Sequence, residues 1–227
     1  MSWRGCWPWR KKASASSPSS RWLCCGQSSV RTSDLVLLAT SNPGKAHEYQ
    51  LLAAEHSLAL QPIPGLDTLP AFEESAPTFA ENAAGKALHY SQYVSRPVLA
   101  EDSGLVVLAL GGAPGPRSAR YAGPALSDAD RISKLLAEMK GNRDRRARFV
   151  CVLALAERGE LRALLSDAVE GELLEAPRGT GGFGYDPIFF YPPLGKTFAE
   201  LSPEEKNQHS HRGRAFRKLL AYLAGDA

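Results

Sequence analysis

The sequence contains no uninterrupted apolar run approaching the roughly 20 residues that a membrane-spanning helix needs, which excludes a bilayer-embedded chain. It has no acid among its first 33 residues, no tryptophan after Trp22 and, beyond Cys25, a single cysteine, Cys151. One cysteine cannot build a disulfide framework, so the body of the chain reads as a protein of a reducing, cytoplasmic compartment. Cys151 lies in the apolar run Phe149 to Ala156 and reads as a small core residue rather than a nucleophile. The missing acids also explain the charge. Of 27 Lys and Arg, six (Arg4, Arg10, Lys11, Lys12, Arg21 and Arg31) fall in that first segment, which leaves 21 against 24 Asp and Glu, or −3, for the rest. A body with that balance has no clustered cationic surface for a phosphate backbone, so nucleic acid is not an expected partner. Residues 1–33 are rich in Arg, Ser and Trp without periodicity and lack a secretory h-region. They read as a leader, either transit-like with organelle import in view or upstream of the true start, and residues 34–227 read as one domain.

What is present alternates. Leu35 to Ala39 predicts a strand, Thr40-Ser41-Asn42-Pro43-Gly44-Lys45 the loop after it, and the stretch to about His56 a helix. Thr78 and Glu81 have capping-box spacing ahead of Ala83, Ala84, Ala87 and Leu88. Pro97 to Ala100 and Leu105 to Leu110 predict strands on either side of Glu101-Asp102-Ser103-Gly104, and Ser127 with Asp130 caps a helix to about Lys140. Arg148 to Ala156 and Leu161 to Val169 predict a hairpin, and Ser210 to Leu223 a final helix. Alternating strands and helices closed by a hairpin predict an α/β fold with a mixed sheet.

Four segments carry candidate chemistry. The Thr40 to Lys45 loop opens a helix, where free N–H groups and the dipole attract phosphate and Lys45 adds a mobile charge. It is not a P-loop, because Ala39 and Ala46 stand where Gly and Ser or Thr are required, and alone it fits an ordinary turn equally well. Glu101 and Asp102 sit at an expected strand end, where one or both would hold Mg²⁺ against phosphates while a carboxylate orients or deprotonates water; Glu73 and Glu74 would supply the rest. Gly179 to Gly184 formally matches a dinucleotide fingerprint, but Tyr185 to Phe190 continues as an extended segment interrupted by Pro187 rather than a helix. Such a loop can instead bring backbone close to a flat base, with Phe183 or Tyr185 stacking on it. Finally, Ser202-Pro203-Glu204-Glu205-Lys206 and Ser210-His211-Arg212 read as helix starts. His209 and His211 lack the further partners of a zinc site, so His211 and Arg212 read as donors for a purine carbonyl or a phosphate.

Taken together, Ser41-Asn42-x-x-Lys45, Phe79-x-Glu81-Asn82-Ala83, Glu101-Asp102-Ser103-Gly104-Leu105, Gly111-Gly112-Ala113-Pro114-Gly115, Ser118-Ala119-Arg120-Tyr121, Phe183-Gly184-Tyr185-Asp186-Pro187 and Ser210-His211-Arg212-Gly213 resemble the inosine triphosphatase-like XTP/dITP pyrophosphatase family, closest to its bacterial branch. The resemblance runs from about Leu35 to Leu223. It implies an elongated, two-lobed α/β fold around a long central mixed sheet with flanking helices, a homodimer, Mg²⁺ dependence, and cleavage of ITP, dITP and XTP to monophosphate and pyrophosphate. By motif it assigns Thr40, Ser41, Asn42, Pro43, Gly44 and Lys45 to the triphosphate and Asp102 to metal binding and proton acceptance. It puts Ser103 against substrate and Phe183, Gly184, Tyr185, Asp186, Lys206, His211 and Arg212 around the base and sugar. A second acidic metal ligand falls on Glu73, with Glu74 the alternative. Two departures, Ser41 for a frequent Gly and Glu101 for a frequent Asp, remove no needed group. A Maf-like pyrophosphatase acting on other nucleotides would not be expected to carry the Phe183 to Asp186 and His211-Arg212 motifs, and a silent nucleotide-binding module would lack the acids.

Overall fold

The computed structural model describes residues 35–123 and 126–225; the leader expected over residues 1–33 lies outside them. The elements run β1 (Val36–Ala39), α1 (Pro43–Glu55), β2 (Leu60–Pro62), α2 (Phe79–Tyr90), β3 (Val98–Val107), α3 (Asp128–Glu138), β4 (Arg146–Glu157), β5 (Glu160–Leu173), β6 (Phe189–Tyr191), β7 (Lys196–Thr197), α4 (Pro203–His209) and α5 (His211–Ala224). The strands form one sheet in the order β2-β1-β3-β4-β5-β6-β7. It is parallel across β2, β1 and β3 and antiparallel from β3 onward. The α/β class and the long mixed sheet match the expectation. Among the described residues no helix is long and apolar enough to cross a membrane.

Side-chain alternation along β3 explains the two lobes. On one face Leu99 joins a core with Leu38, Tyr49, Leu153, Leu155 and Phe216, beneath α1 and α5. Further along the same face Leu105 and Val107 join a second core with Ile132, Leu135 and Phe149, beneath α3. Between them the face presents Glu101 and Ser103, so a polar belt divides two apolar cores. The opposite face carries Val98 and Ala100 into a third core under α2, with Ala83 and Ala87.

Three local expectations change. Glu101 to Gly104 lies inside one continuous strand, because β4 pairs with β3 along its whole length, from Val98 opposite Ala156 to Val107 opposite Ala147. A ladder of backbone bonds tolerates polar side chains where they have partners. Asp186–Ile188 is a turn of 3₁₀ helix rather than extended chain, with Pro187 accommodated in its first turn, where an amide hydrogen is not needed. The β4–β5 hairpin is longer than its apolar core suggested, and it turns through Arg158 and Gly159, both at positive φ, the backbone of a tight hairpin turn.

Candidate active site

The chain leaves β1 for α1 and returns in β2 on one side, whereas β3 lies on the other. The carboxyl end of β1 is therefore a topological switch point, the crevice where ligands collect in open α/β sheets. The loop Thr40 to Lys45 opens there. Asn42 caps α1, its side chain accepting from the Lys45 amide at 3.0 Å, and Pro43 occupies the first helical turn. β1 ends at Ala39, opposite Ala100, and the 113–118 segment takes up the same edge of β3 only from Leu105, whose N–H donates to Ser118 Oγ, so Glu101 to Gly104 have no strand beside them there. A cleft of about 310 Å³ runs along it, lined by Asn42, Lys45, Asp102, Ser103, Phe183 and Arg212 among others. A second cavity of about 640 Å³ continues past Thr40, Ser41 and Lys45 to Glu74 and Lys86.

Adjacent residues of a strand point to opposite faces, and this separates the two acids. Asp102 accepts from the Asn82 side-chain amide of α2 at 3.0 Å and from the Ser103 backbone N–H at 2.9 Å. Burial pushes its carboxyl up to about 6; Lys45 opposes the rise and the negative charge of Glu74 adds to it. Glu74 lines both cavities and pairs with Lys86, whose ammonium also donates to the Glu101 carbonyl at 3.0 Å. Glu73 lines neither of these, but a neighbouring cavity beside Arg117 and Arg120 that Glu74 also borders. The geometry thus favours Glu74 over Glu73 as the companion of Asp102, because Glu74 shares its cavity and its field.

Glu101 faces the other way, 2% exposed, and accepts from Arg212 Nε at 3.1 Å with Lys45 Nζ 3.5 Å away. Burial alone would raise its pKa, but Arg212 and then Lys45 hold it well below the usual carboxylate range. It is the counter-charge of Arg212 and Lys45. Each nitrogen of Arg212 donates once, Nη1 to Glu48 at 3.1 Å and Nη2 to Ser103 Oγ at 2.8 Å besides Nε to Glu101, which leaves two of its five N–H groups. Glu48 also accepts from Lys206 Nζ at 2.6 Å, and Lys206 pairs with Asp186. Three carboxylates and three cations therefore fill the polar belt, and their near cancellation lets it be buried.

The far end of the cleft is aromatic. Lys206 Nζ lies 4.9 Å and the Arg212 guanidinium carbon 5.0 Å from the centre of the Phe183 ring, within cation–π range. The glycine loop sets that ring: Gly182, at φ +67°, stands where a Cβ would collide with the Asp186 carboxylate that accepts from the Phe183 N–H at 2.8 Å. Tyr185 also lines the cleft but exposes little of its ring. It is buried in the second core, its hydroxyl donating to the Ser118 carbonyl at 2.9 Å. His211 stacks on Phe149 at 4.7 Å and 8°, fully buried, and both its ring nitrogens lack a protein partner. Burial and the charge of Arg212 hold its pKa well below the usual value, so the imidazole is neutral, with one N–H donor and one bare nitrogen.

The Ham1 family profile matches residues 36–222 of the sequence. The chain belongs to the Ham1 family. It is 50% identical over 186 residues to the dITP/XTP pyrophosphatase of Geobacillus kaustophilus, covering 81% of this chain and 91% of the relative. It is also 50% identical, over 188 residues, to that of Gloeobacter violaceus, covering 82% and 92%. Among solved structures, a HAM1 protein from Coxiella burnetii superposes with a TM-score of 0.76 at 42% identity, over 84% of this chain and 98% of that one. The Ham1 protein of Staphylococcus aureus gives 0.75 at 40%, over 85% and 99%.

Of the residues singled out from the sequence of this Ham1 chain, Asn42 to Lys45, Asp102, Ser103, Phe183 to Asp186, His211 and Arg212 share the first cleft, while Thr40 and Ser41 line the second. Lys206 lies behind Phe183. Sequence reasoning passed over Glu48 and Lys86. Glu48 follows Lys45 by three residues on a helix, hence on one face, and Lys86 follows Asn82 by four, so helical spacing from motif residues was the available signal.

Proposed function

We propose that this Ham1 chain hydrolyses the non-standard purine triphosphates dITP, ITP and XTP to the nucleoside monophosphate and pyrophosphate. dITP and XTP are the substrates for which its relatives are named, and ITP shares the base of dITP. The single observation that carries the reading is a cleft with a buried carboxyl poised near pH 6 amid lysines at one end and a neutral, unpartnered imidazole beside aromatic rings at the other. The triphosphate lies against the loop Thr40 to Lys45, where the Asn42 and Lys45 amides are engaged within the loop and those of Ser41 and Gly44 have no partner among the described residues, with Lys45 and Lys86 neutralising its charge. Asp102 accepts the proton of the attacking water as its oxygen bonds to the α-phosphorus and the bond to the leaving pyrophosphate breaks.

Asp102 and Glu74 would together hold Mg²⁺. Both offer hard carboxylate oxygens, and the burial that lifts Asp102, with the charge of Glu74 adding to it, is what a divalent cation offsets. Bound there, Mg²⁺ supplies Lewis-acid stabilisation of the phosphate oxygens. At the base end His211 and the unused N–H groups of Arg212 meet the 6-oxo group of hypoxanthine or xanthine. Adenine presents an amino group there, leaving a buried donor unpaired, which rejects it strongly. The active species is a homodimer, which light scattering reads as twice the chain mass. The test is pyrophosphate release from ITP, dITP, XTP, ATP, GTP and dTTP with and without Mg²⁺. Mg²⁺-dependent release from the first three supports the reading, and preference for dTTP or ATP overturns it.

A further inference from the structure

Glu48 belongs to α1, the helix whose first turn carries the phosphate loop, yet its carboxylate reaches the other end of the cleft. One oxygen accepts from Lys206 Nζ at 2.6 Å and the other from Arg212 Nη1 at 3.1 Å. It is 8% exposed and does not line the cleft itself. Burial alone would raise its pKa, but Arg212 and Lys206 bring it below the ordinary value, so it is charged at neutral pH. By formal charge the cluster it completes is balanced, Glu48, Glu101 and Asp186 against Lys45, Lys206 and Arg212, although burial lifts the Asp186 carboxyl above its ordinary value against the pull of Lys206. Two of those cations lie against the ring of Phe183, with Arg212 also lining the cleft. The neighbouring His211 contributes no charge, because it is neutral.

Xanthine and hypoxanthine differ in charge as well as in shape. The xanthine ring of XTP is largely ionised at neutral pH, through loss of a ring N–H proton that the adjoining oxo groups acidify; hypoxanthine stays neutral. We infer that Glu48 is a specificity-determining residue: by cancelling one positive charge behind the base it keeps the cleft from favouring an anionic purine, and so sets the relative turnover of XTP and ITP. The inference rests on the proposed placement of the base beside Phe183 and Arg212. Glu48 acts through Lys206 and Arg212 and need not touch substrate.

Glu48→Gln keeps the shape and one hydrogen-bond acceptor while leaving a net positive charge behind the base. The ratio of kcat/KM for XTP to that for ITP, measured at neutral pH, is expected to rise on the order of tenfold, the effect of one unit charge across about 10 Å at an effective dielectric of about 20. The rise should appear as a lower KM for XTP relative to ITP, with the ratio of kcat values little changed. Glu48→Asp, which retains the charge, should keep the wild-type ratio. A merely structural role would depress both substrates together and leave the ratio where it was, and that result overturns the inference. Should Glu48→Gln fail to fold, Glu101→Gln removes a carboxylate from the same Arg212 and must move the ratio in the same direction. Failure of the wild-type protein to release pyrophosphate from either nucleotide would instead overturn the reading of the cleft, so the two failures are distinguishable.

Discussion

Asp102 has a folded-state pKa near 6 against an ordinary value of 3.8, so ionising it in the fold is unfavourable. Its cost to stability is absent below about pH 4, grows between the two values and is complete above about pH 6, where it reaches on the order of 2–3 kcal/mol. Asp102→Asn removes that cost and retains an acceptor for Asn82. The expected result is a melting temperature of the metal-free protein at neutral pH equal to or above wild type, an advantage that fades toward pH 4, together with loss of turnover; calorimetry across pH without Mg²⁺, paired with an activity assay, checks it. Glu101 has the opposite sign. Its pKa is depressed, so the stability it contributes is full above its ordinary 4.5 and lost as pH falls below that. Glu101→Ala should cost about 3–5 kcal/mol at neutral pH by leaving Arg212 buried with one fewer counter-charge, read as a lower urea midpoint. The sequence set these two acids side by side and could not tell them apart. Only the pleat of β3 sends one to Arg212 and the other to Asn82.

At the scale of elements, the caps were the most legible features, because a cap is a local exchange between a side chain and backbone N–H groups two or three residues away. Ser127 and Asp130 form the reciprocal box that their spacing predicts, and so do Ser202 and Glu205. Ser127→Ala should lower stability by about 1 kcal/mol, visible in thermal melts. Less legible were β2, β6 and β7, strands of two or three residues that exist only because longer neighbours pair with them. The continuity of β3 through Glu101 to Gly104 was hidden for the same reason: its support comes from β4, about 50 residues away in sequence. The junction of α4 and α5 shows a constraint that no local pattern announces. A Cβ on Gly213 would run into the Asn207 carbonyl oxygen, a backbone atom with no freedom to retreat. Gly213→Ala is expected to lose several kcal/mol by overpacking and to displace His211 and Arg212. A soluble Gly213→Ala protein with wild-type melting and kinetics would contradict that account.

For the whole molecule, one face of the sheet carries two apolar cores and the charged belt between them, and the cleft runs where β3, past the end of β1, has no strand beside Glu101 to Gly104. The α/β class was readable from alternation; the division into lobes came only with the family resemblance, since its physical cause is Glu101 and Ser103 interrupting one face of a strand whose extent the sequence obscured. A ligand spanning the cleft touches both lobes. A non-hydrolysable ITP analogue with Mg²⁺ at about 100 times its Kd should therefore stabilise the fold by about 2.7 kcal/mol, and hydrogen exchange should slow on both sides of the belt. The central claim is that Asp102 directs water to the α-phosphorus. Hydrolysis of ITP in ¹⁸O-labelled water with Mg²⁺, followed by mass spectrometry of the products, tests it most directly. The account predicts labelled inosine monophosphate, unlabelled pyrophosphate, and neither product from Asp102→Asn. Label in the pyrophosphate, or orthophosphate and inosine diphosphate as products, would contradict it.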